Sequence, residues 1–429
     1  MTPKVLLTDT SRWALSSRVA IGLSKRGCRV SGICPSRHPL LKTRIVERAF
    51  HYDSLYPLES LTRAITETEP HIIIPFDDRT TQHLHELYDR TIQLDTTAAT
   101  RIAKLIEHSL GSPESHPIVD DRGELIRVAQ EEGVRVPDTC VINTADDLKS
   151  WSKGQRFPWI LKAAGTWGGR GVKIANSLAH AEKILVELTS LFGTKRVIKR
   201  SIINRDSFSL RPWWKNAKPA VIVQSYINGR EANYAAVSWQ GKVLAGIGVE
   251  VVNTMGPTEP ASIVRVVDNA EMKLAAERLV NRLGLSGFIG LDFMIEDRSH
   301  LAYLIEMNPR CTPPCHIQLG KGRDMIGALW SQLSGEVLQE MPPVTQNDLI
   351  AYFPQAWDSN SKFFETSYRD VPEDEPELLR ELRQPWPSRS LLFRLFSYFD
   401  RLGSKGPQAQ NERNSSEINS SVCAGDKPL

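Results

Sequence analysis

Two strand-like apolar runs near residue 300 carry polar side chains that could bind a metal ion. The runs are Phe288–Ile295 and Leu301–Met307, with a short polar turn between them. Asp292 lies in the first run, Glu306 lies in the second, and Asn308 follows. A carboxylate inside an apolar strand is costly to desolvate unless a cation or a hydrogen-bond donor compensates it. Two carboxylates and an amide oxygen suit Mg²⁺, so we expect these residues to hold the Mg²⁺ of a nucleotide.

Arg310 offers an alternative explanation for the same acids. It lies two residues after Asn308, and its guanidinium could pair with Asp292 and Glu306 in a structural salt bridge. The metal site is the preferred interpretation, because a pattern suited to phosphate binding lies upstream.

That upstream pattern is a lysine followed by a glycine-rich loop. A short apolar strand, Trp159–Leu161, leads into Lys162, and four glycines follow within seven residues: Gly165, Gly168, Gly169 and Gly171. Glycines let backbone N–H groups approach phosphate oxygens, and a lysine supplies a mobile charge for the same oxygens. The spacing matches neither a Walker A loop nor a GxGxxG fingerprint. A glycine loop alone could also be a hairpin tip, but its combination with the downstream acids favours phosphate binding.

The two motifs in this order resemble the ATP-grasp superfamily. The resemblance is strongest to the branch with biotin carboxylase, the synthetase halves of carbamoyl phosphate synthetase and related carboxylate–amine ligases. It runs from about Val5 to about Leu333, more loosely to about Leu379, and the IEMNPR element ending at Arg310 is specific. The implied fold mixes α/β and α+β: an N-terminal pre-ATP-grasp domain with a parallel sheet, then a two-lobed ATP-grasp domain.

The resemblance also implies ATP and Mg²⁺, with Mn²⁺ as a substitute, and roles for individual residues. Arg310 and Lys162 would be catalytic, and Asp292, Glu306 and Asn308 would hold the metal. Adenine would lie against a hinge at the end of the strand Ala220–Tyr226. The implied nucleotide-binding residues are Lys162, Gly165, Gly168, Gly169, Gly171, Gln224, Ser225, Tyr226, Ile227 and Glu231.

Two positions depart from the family pattern. Gln224 stands where relatives often have a glutamate. Arg122, in the pair Asp121-Arg122, stands where relatives commonly have a lysine that contacts a nucleotide phosphate. Arginine keeps the charge but cannot replace lysine freely at a tight site, so the phosphate contact is in doubt and the fold is not.

Strands alternate with helical patterns through the first hundred residues, which predicts a parallel sheet covered by helices. Asp77-Asp78 follows the predicted strand His71–Pro75, where it could face an acceptor substrate or cap the next helix. The expected segments are 1–110 (pre-ATP-grasp domain), 111–335 (ATP-grasp domain, with a small lobe at 111–225 and a large lobe at 226–335), 336–402 (strap and amphipathic helix) and 403–429 (disordered tail).

A Cys-x3-Cys-His pattern follows Arg310, at Cys311, Cys315 and His316. Pro313-Pro314 stiffens the intervening backbone and no second Cys/His cluster lies nearby, so a zinc site is disfavoured. We expect this loop to line the acceptor pocket, where His316 either touches the substrate or has no function.

Composition excludes several classes of protein. The 429 residues are 41% hydrophobic and carry a net charge of +3, so a large core is expected and a nucleic-acid partner is not. No apolar stretch is long enough to span a membrane, and the N-terminus lacks a secretory pattern. The amphipathic segment 389–402 is expected to dock on the enzyme body rather than on a membrane. Six dispersed cysteines are typical of a protein from a reducing cytoplasm. The sequence is also compatible with a homo-oligomer.

These features together predict an ADP-forming ligase. It would activate a small-molecule carboxylate, such as an amino acid, as an acylphosphate and join it to an amine substrate. A bicarbonate-dependent carboxylase or a carbamoyl phosphate synthetase-like enzyme ranks lower, because the chain has no Met-Lys-Met segment and no internal duplication. A non-catalytic nucleotide-binding protein is the remaining alternative.

Overall fold

The computed structural model describes residues 2–163, 171–189, 220–256, 260–357 and 361–384. The chain divides into a compact unit, Met1–Glu381, and a second unit, Leu382–Leu429. The predictions made for Gly165, Gly168 and Gly169, for the amphipathic helix at 389–402 and for the tail lie outside the described residues.

The N-terminal part is a parallel sheet with helices packed on it. Among the described residues its strand order is β3-β2-β1-β4. Strands β1 and β4 are buried along nearly their whole length, as expected for strands covered by helices on both faces. The elements are β1 Lys4–Thr8, α1 Leu15–Lys25, β2 Arg29–Cys34, β3 Val46–His51, α2 Pro57–Thr68, β4 Ile72–Pro75, α3 Asp78–Thr91 and α4 Thr97–Leu110.

An antiparallel sheet follows, with described strands in the order β5-β8-β6-β7. Trp159 and Leu161 of β6 are fully buried against α8. Lys162, one residue later, is therefore held at the end of a rigid strand. The elements are α5 His116–Asp120, α6 Arg122–Glu131, β5 Thr139–Ile142, α7 Ala145–Ser152, β6 Trp159–Ala163, β7 Val172–Ala175, α8 Leu178–Thr189 and β8 Val221–Ser225.

The third sheet is the largest, with described strands in the order β13-β12-β9-β10-β11-β14-β15. All neighbours pair antiparallel except β14 and β15, which are parallel. The elements are β9 Gly229–Trp239, β10 Lys242–Thr254, β11 Ala261–Val267, α9 Ala270–Leu283, β12 Gly287–Glu296, β13 Ala302–Asn308, α10 Met325–Ser334, β14 Leu349–Tyr352, β15 Tyr368–Asp370 and α11 Pro376–Leu382.

The two faces of the large sheet have different partners. One face carries Tyr234, Leu291 and Leu304, which pack in a core with helices α6 and α9. The opposite face carries Ala235 and Val237, which join the core of the N-terminal sheet. Side chains alternate between the two faces of a strand. Polar residues of β9 on the same face as Ala235 and Val237 therefore lie beside the core of the N-terminal sheet, not in the core that contains α6 and α9.

The predicted fold class is confirmed, and the predicted elements differ mainly at their ends. The strand predicted at Phe288–Ile295 extends by one residue at each end, as β12 Gly287–Glu296. The strand predicted at Leu301–Met307 lies one residue later, as β13 Ala302–Asn308. Short strands β14 and β15 replace part of the expected strap. The domain boundaries remain predictions. No helix within the described residues is long and apolar enough to cross a membrane.

Candidate active site

Asp292 and Glu306 are direct partners in the pairing of β12 with β13. Asn308 pairs with Gly290 in the same ladder, and Asn233 on β9 pairs with Asp292 from the other side. Partners directly opposite in adjacent strands place their side chains on the same face of a sheet. The three residues predicted to bind a metal therefore lie together, with Asn233 as a fourth.

Two asparagines hold the Asp292 carboxylate. Asn233 Nδ2 donates to Asp292 Oδ1 at 2.7 Å, and Asn308 Nδ2 donates to Oδ2 at 2.8 Å. Burial, together with the nearby Glu306 charge, still raises the pKa of Asp292 to about 6. The two neutral donors therefore do not fully compensate the Asp292 carboxylate. A divalent cation would, so the residues present fit Mg²⁺.

Lys162 reaches this acidic pair from the neighbouring sheet. Its Nζ donates to the backbone carbonyl oxygen of Ile305 at 3.2 Å, one residue before Glu306. The side chain is buried, and burial lowers the pKa of Lys162 to about 8, although the Glu306 charge opposes the shift. The predicted phosphate-binding lysine and the predicted metal ligands thus lie in one site.

Arg122, one of the two positions that depart from the family pattern, also contacts the acidic pair. Its Nη2 donates to Glu306 Oε1 at 2.6 Å, and its Nη1 donates to the carbonyl oxygen of Ala163 at 3.2 Å. Helix α6 begins at this residue, with Asp121 as its N-cap. Arg122 therefore links the strand end before the glycine loop to a predicted metal ligand.

Arg310 has a different acidic partner from the one that the salt-bridge alternative required. Its Nε donates to Asp78 Oδ1 at 2.7 Å, and its Nη2 donates to Asn308 Oδ1 at 2.9 Å. Asp292 and Glu306 are bonded instead by asparagines and by Arg122. The guanidinium is thus fixed beside Asn308 without neutralising either carboxylate of the pair directly.

The two acids at the end of β4 have separate roles. Asp77 caps helix α3 by accepting from the Thr80 N–H at 2.8 Å, and it also accepts from the Thr10 N–H at 2.6 Å. Asp78 is the partner of Arg310. The capping alternative therefore applies to Asp77, and Asp78 lies at the site.

The predicted adenine hinge lies at the end of β8. Gln224 is buried and its Nε2 donates to Thr139 Oγ1 at 3.1 Å, while the Ser225 N–H donates to the Asp138 carbonyl at 2.9 Å. The Gln224 amide nitrogen and the Ser225 N–H therefore already have hydrogen-bond partners at the sheet β5-β8-β6-β7. Tyr226, Ile227 and Glu231 are less enclosed, and Glu231 is exposed on β9, two residues before Asn233.

The loop after Arg310 forms a short 3-10 turn, Pro313–His316. His316 Nε2 lies 2.7 Å from Asp370 Oδ2, and both side chains are buried. Cys311 and Cys315 are free thiols. Across the described part of the chain, no group of three or more His, Cys, Asp and Glu side chains is placed to hold a metal ion.

Sequence reasoning missed Asn233 and the two ion pairs that organise the site, Arg122–Glu306 and Arg310–Asp78. Alternation along β9 contained a signal, since Glu231 and Asn233 are polar residues two positions apart and therefore share one face of the strand. The ion pairs join residues that are 184 and 232 positions apart, and no local pattern predicts such contacts.

Part of the chain is similar to a known protein family. Residues 119–314 match the model of the ATP-grasp domain. A carbamoyl phosphate synthase large chain from Caldanaerobacter subterraneus subsp. tengcongensis is 22% identical over 199 residues, which cover 46% of this chain and 17% of that relative. An arginine-specific large chain from Bacillus subtilis is 20% identical over 292 residues, covering 63% and 26%. The match thus spans only about a quarter or less of these relatives.

Solved structures resemble this one across most of the chain. N5-carboxyaminoimidazole synthetase from Staphylococcus aureus, complexed with ADP, superposes with a TM-score of 0.55 at 14% identity, covering 79% of each chain. The biotin carboxylase domain dimer of the Hydrogenobacter thermophilus 2-oxoglutarate carboxylase, complexed with MgADP, ADP and bicarbonate, gives 0.55 at 15% identity, covering 80% of this chain and 72% of that one. At these identities the likeness establishes the fold alone.

Proposed function

We propose, from the premise that residues 119–314 form an ATP-grasp domain, that this chain is an ATP-dependent carboxylate–amine ligase. It activates a small-molecule carboxylate, an amino acid or a related acid, as an acylphosphate. An amine then attacks the acyl carbon and phosphate departs. The products are ADP, phosphate and a compound with a new C–N bond.

The observation that carries the proposal is the meeting of Lys162 with the Asp292–Glu306 pair. The lysine comes from the end of β6 and the acids come from β12 and β13, so two sheets contribute to one site. A site for phosphoryl transfer needs this combination, because the substrate has anionic oxygens on several sides and catalysis consists mainly of positioning and charge neutralisation.

Each residue has a role that follows from its charge and position. Lys162 neutralises phosphate oxygens from the end of β6. Tyr226 and Ile227, at the end of β8, offer backbone groups to the adenine edge. Arg310, fixed by Asp78, stabilises the charge that develops on the transferred phosphoryl group and on the oxyanion of the tetrahedral intermediate.

Asp292, Glu306 and Asn308 would hold Mg²⁺. Asn308 donates its amide nitrogen to Asp292, and its amide oxygen, which accepts from Arg310, keeps a second lone pair for a metal. When bound, the ion would neutralise the negative charge of the triphosphate. Asn233 orients Asp292 from the neighbouring strand, so the ligand set is held before any nucleotide arrives.

A second candidate is an enzyme that activates bicarbonate in place of an organic carboxylate. It is favoured by the names of the relatives, which are carbamoyl phosphate synthase large chains, and by the bicarbonate in the biotin carboxylase domain structure. The same residues would serve both reactions, because each begins with attack by a carboxylate-like oxygen on the γ-phosphate of ATP.

We further propose that the enzyme works in a reducing compartment such as the cytoplasm. The cysteines within the described residues are all free, and Cys28, Cys34, Cys311 and Cys315 are buried. Formation of a homo-oligomer is an additional proposal, suggested by the dimeric state named for the biotin carboxylase domain.

The purified full chain should be tested with MgATP and panels of carboxylates and amines. Amino acids, other small carboxylates and bicarbonate form the acceptor arms, each with and without a mixture of amines. ADP and phosphate release that depends on an organic carboxylate supports the first function, and release that depends on bicarbonate alone supports the second. Production of AMP and pyrophosphate would exclude both.

A further inference from the structure

Asp370 connects three parts of the molecule although it lies outside the matched ATP-grasp region. It ends β15, the edge strand of the large sheet, and is only 3% exposed. One carboxylate oxygen accepts from Arg18 on helix α1, and the other lies 2.7 Å from His316 Nε2. His316 lies in the loop that begins at Arg310.

Charge as well as geometry favours this arrangement. Burial alone would raise the pKa of Asp370, but the His316 and Arg18 cations hold it well below its usual range. Burial alone would lower the pKa of His316, and the Asp370 carboxylate raises it. Each group therefore keeps its partners charged inside the protein. Removing the shared carboxylate would leave two buried cations without compensation.

The loop 309–316 is held at both ends. At its start, Arg310 bonds to Asp78, and the Pro309 carbonyl accepts from Thr81 Oγ1 at 3.0 Å. The Cys311 N–H donates to the Pro75 carbonyl at 3.3 Å. These contacts tie the start to the N-terminal sheet. At the other end, the His316 side chain bonds to the Asp370 carboxylate and also interacts with the neighbouring Cys315 side chain.

We propose that Asp370 is a positioning residue for the reaction, which acts through His316 to fix the loop that carries Arg310. The proposal rests on the proposed function for its kinetic consequence. Asp370 contacts no phosphate-binding residue, so its loss should disturb the acceptor side of the site and leave nucleotide binding intact. The C-terminal strand β15 would then belong to the catalytic unit, although it follows the matched domain in sequence.

Asp374 provides a matched control four residues along the chain. It forms an ion pair with Lys25 of the same helix α1 at 2.7 Å, but the two side chains are 74% and 64% exposed. Exposed pairs contribute little to stability. Asp374→Asn therefore makes the same chemical change as Asp370→Asn, also at an ion pair with helix α1. It differs in that Asp374 is exposed and does not contact His316.

The experiment compares Asp370→Asn with Asp374→Asn in the full chain. Three measurements need no carboxylate substrate: titration of the His316 imidazole by NMR, amide hydrogen exchange at Cys311, and MgADP binding by calorimetry. ADP release is then measured with a mixture of the standard amino acids as the carboxylate probe. For Asp370→Asn we expect a lower pKa of His316 and amide exchange at Cys311 that is faster by about tenfold or more. The affinity for MgADP should stay within about twofold of wild type, while carboxylate-dependent turnover should fall by about tenfold or more. Asp374→Asn should match wild type in each.

The outcomes separate this inference from the proposed function. If Cys311 exchange and His316 titration in Asp370→Asn equal those of the Asp374→Asn control, the positioning role is wrong. If they change while no carboxylate supports ADP release even in wild type, the loop contact stands and the proposed function fails. Should Asp370→Asn not fold, His316→Ala replaces it, because alanine removes the side chain that contacts Asp370. Unchanged exchange at Cys311 in His316→Ala would then overturn the proposal.

Discussion

Lys162 Nζ lies 3.2 Å from the backbone carbonyl oxygen of Ile305, the residue before Glu306. This one contact joins the strand that leads into the glycine loop to the strand that carries a predicted metal ligand. The contact also places a lysine whose pKa is lowered to about 8 by burial next to two carboxylates. ATP binding should therefore depend on the protonation of this residue.

The affinity for ATP should fall as the pH rises through about 8. Only the protonated form of Lys162 can neutralise phosphate oxygens, and its lowered pKa means that this form is lost near pH 8 rather than near its usual value. The dissociation constant of MgATP should increase by up to about tenfold per pH unit above that point. Calorimetric titrations from about one pH unit below that pKa to about one unit above it measure this dependence.

Lys162→Arg is the control for that dependence. Arginine stays charged throughout this range, so the variant should bind MgATP more weakly overall but with little change above about pH 8. An equally steep pH dependence in the variant would mean that another group titrates.

Asp292→Asn and Glu306→Gln should each abolish most ATP turnover while the fold is retained. Both changes remove a charge with little change of shape, at residues that face each other in β12 and β13. We expect losses on the order of 100-fold or more. Asp297→Asn, in the turn at the end of the same hairpin, should keep wild-type turnover. Wild-type activity in both site variants would contradict the metal assignment.

Asn233→Ala tests a residue that sequence reasoning did not find. The variant removes one of the two amide donors that hold Asp292, so the carboxylate should be less well oriented for a metal. The Mg²⁺ concentration needed for half-maximal ATP turnover should rise roughly 10- to 100-fold. Asn228→Ala, which affects a contact with the exposed turn residue Asp297, should leave it unchanged. Equal Mg²⁺ dependence in the two variants would remove Asn233 from the site.

Gly111→Ala should destabilise the protein. Gly111 has φ +102°, and an added Cβ would lie 2.2 Å from the backbone oxygen of Gly284, at the bridge that joins Gly111 to Leu285. Overpacking against backbone together with a disfavoured φ should cost about 3 kcal/mol or more. Gly154→Ala, with no atom within 4 Å of the new Cβ, is the control. Chemical denaturation measures both, and equal unfolding free energies would contradict the account.

The residues of the site could be predicted where their chemistry is local. Asp292 and Glu306 interrupt apolar runs, and Lys162 follows a short strand directly, so pattern alone located them. Their meeting could be inferred only through the resemblance to a known family. Asn233 was missed because its role depends on the register between β9 and β12, which periodicity does not set.

The C-terminal part shows the limit of local patterns more clearly. Strands β14 and β15 are four and three residues long and lie among proline-rich segments, so no alternation could predict them. Asp370 reads as one of several acids in a polar stretch. Its burial and its two cationic partners, Arg18 and His316, come from tertiary contacts across 352 and 54 positions of sequence.

The most direct test of the central claim follows one oxygen atom. A carboxylate that supports ADP release is labelled with oxygen-18 in its carboxyl group and incubated with the enzyme, MgATP and an amine. If the carboxylate attacks the γ-phosphate, one labelled oxygen departs with phosphorus, and mass spectrometry should find it in the released phosphate and not in AMP. Unlabelled phosphate, or label in AMP, would contradict the acylphosphate route.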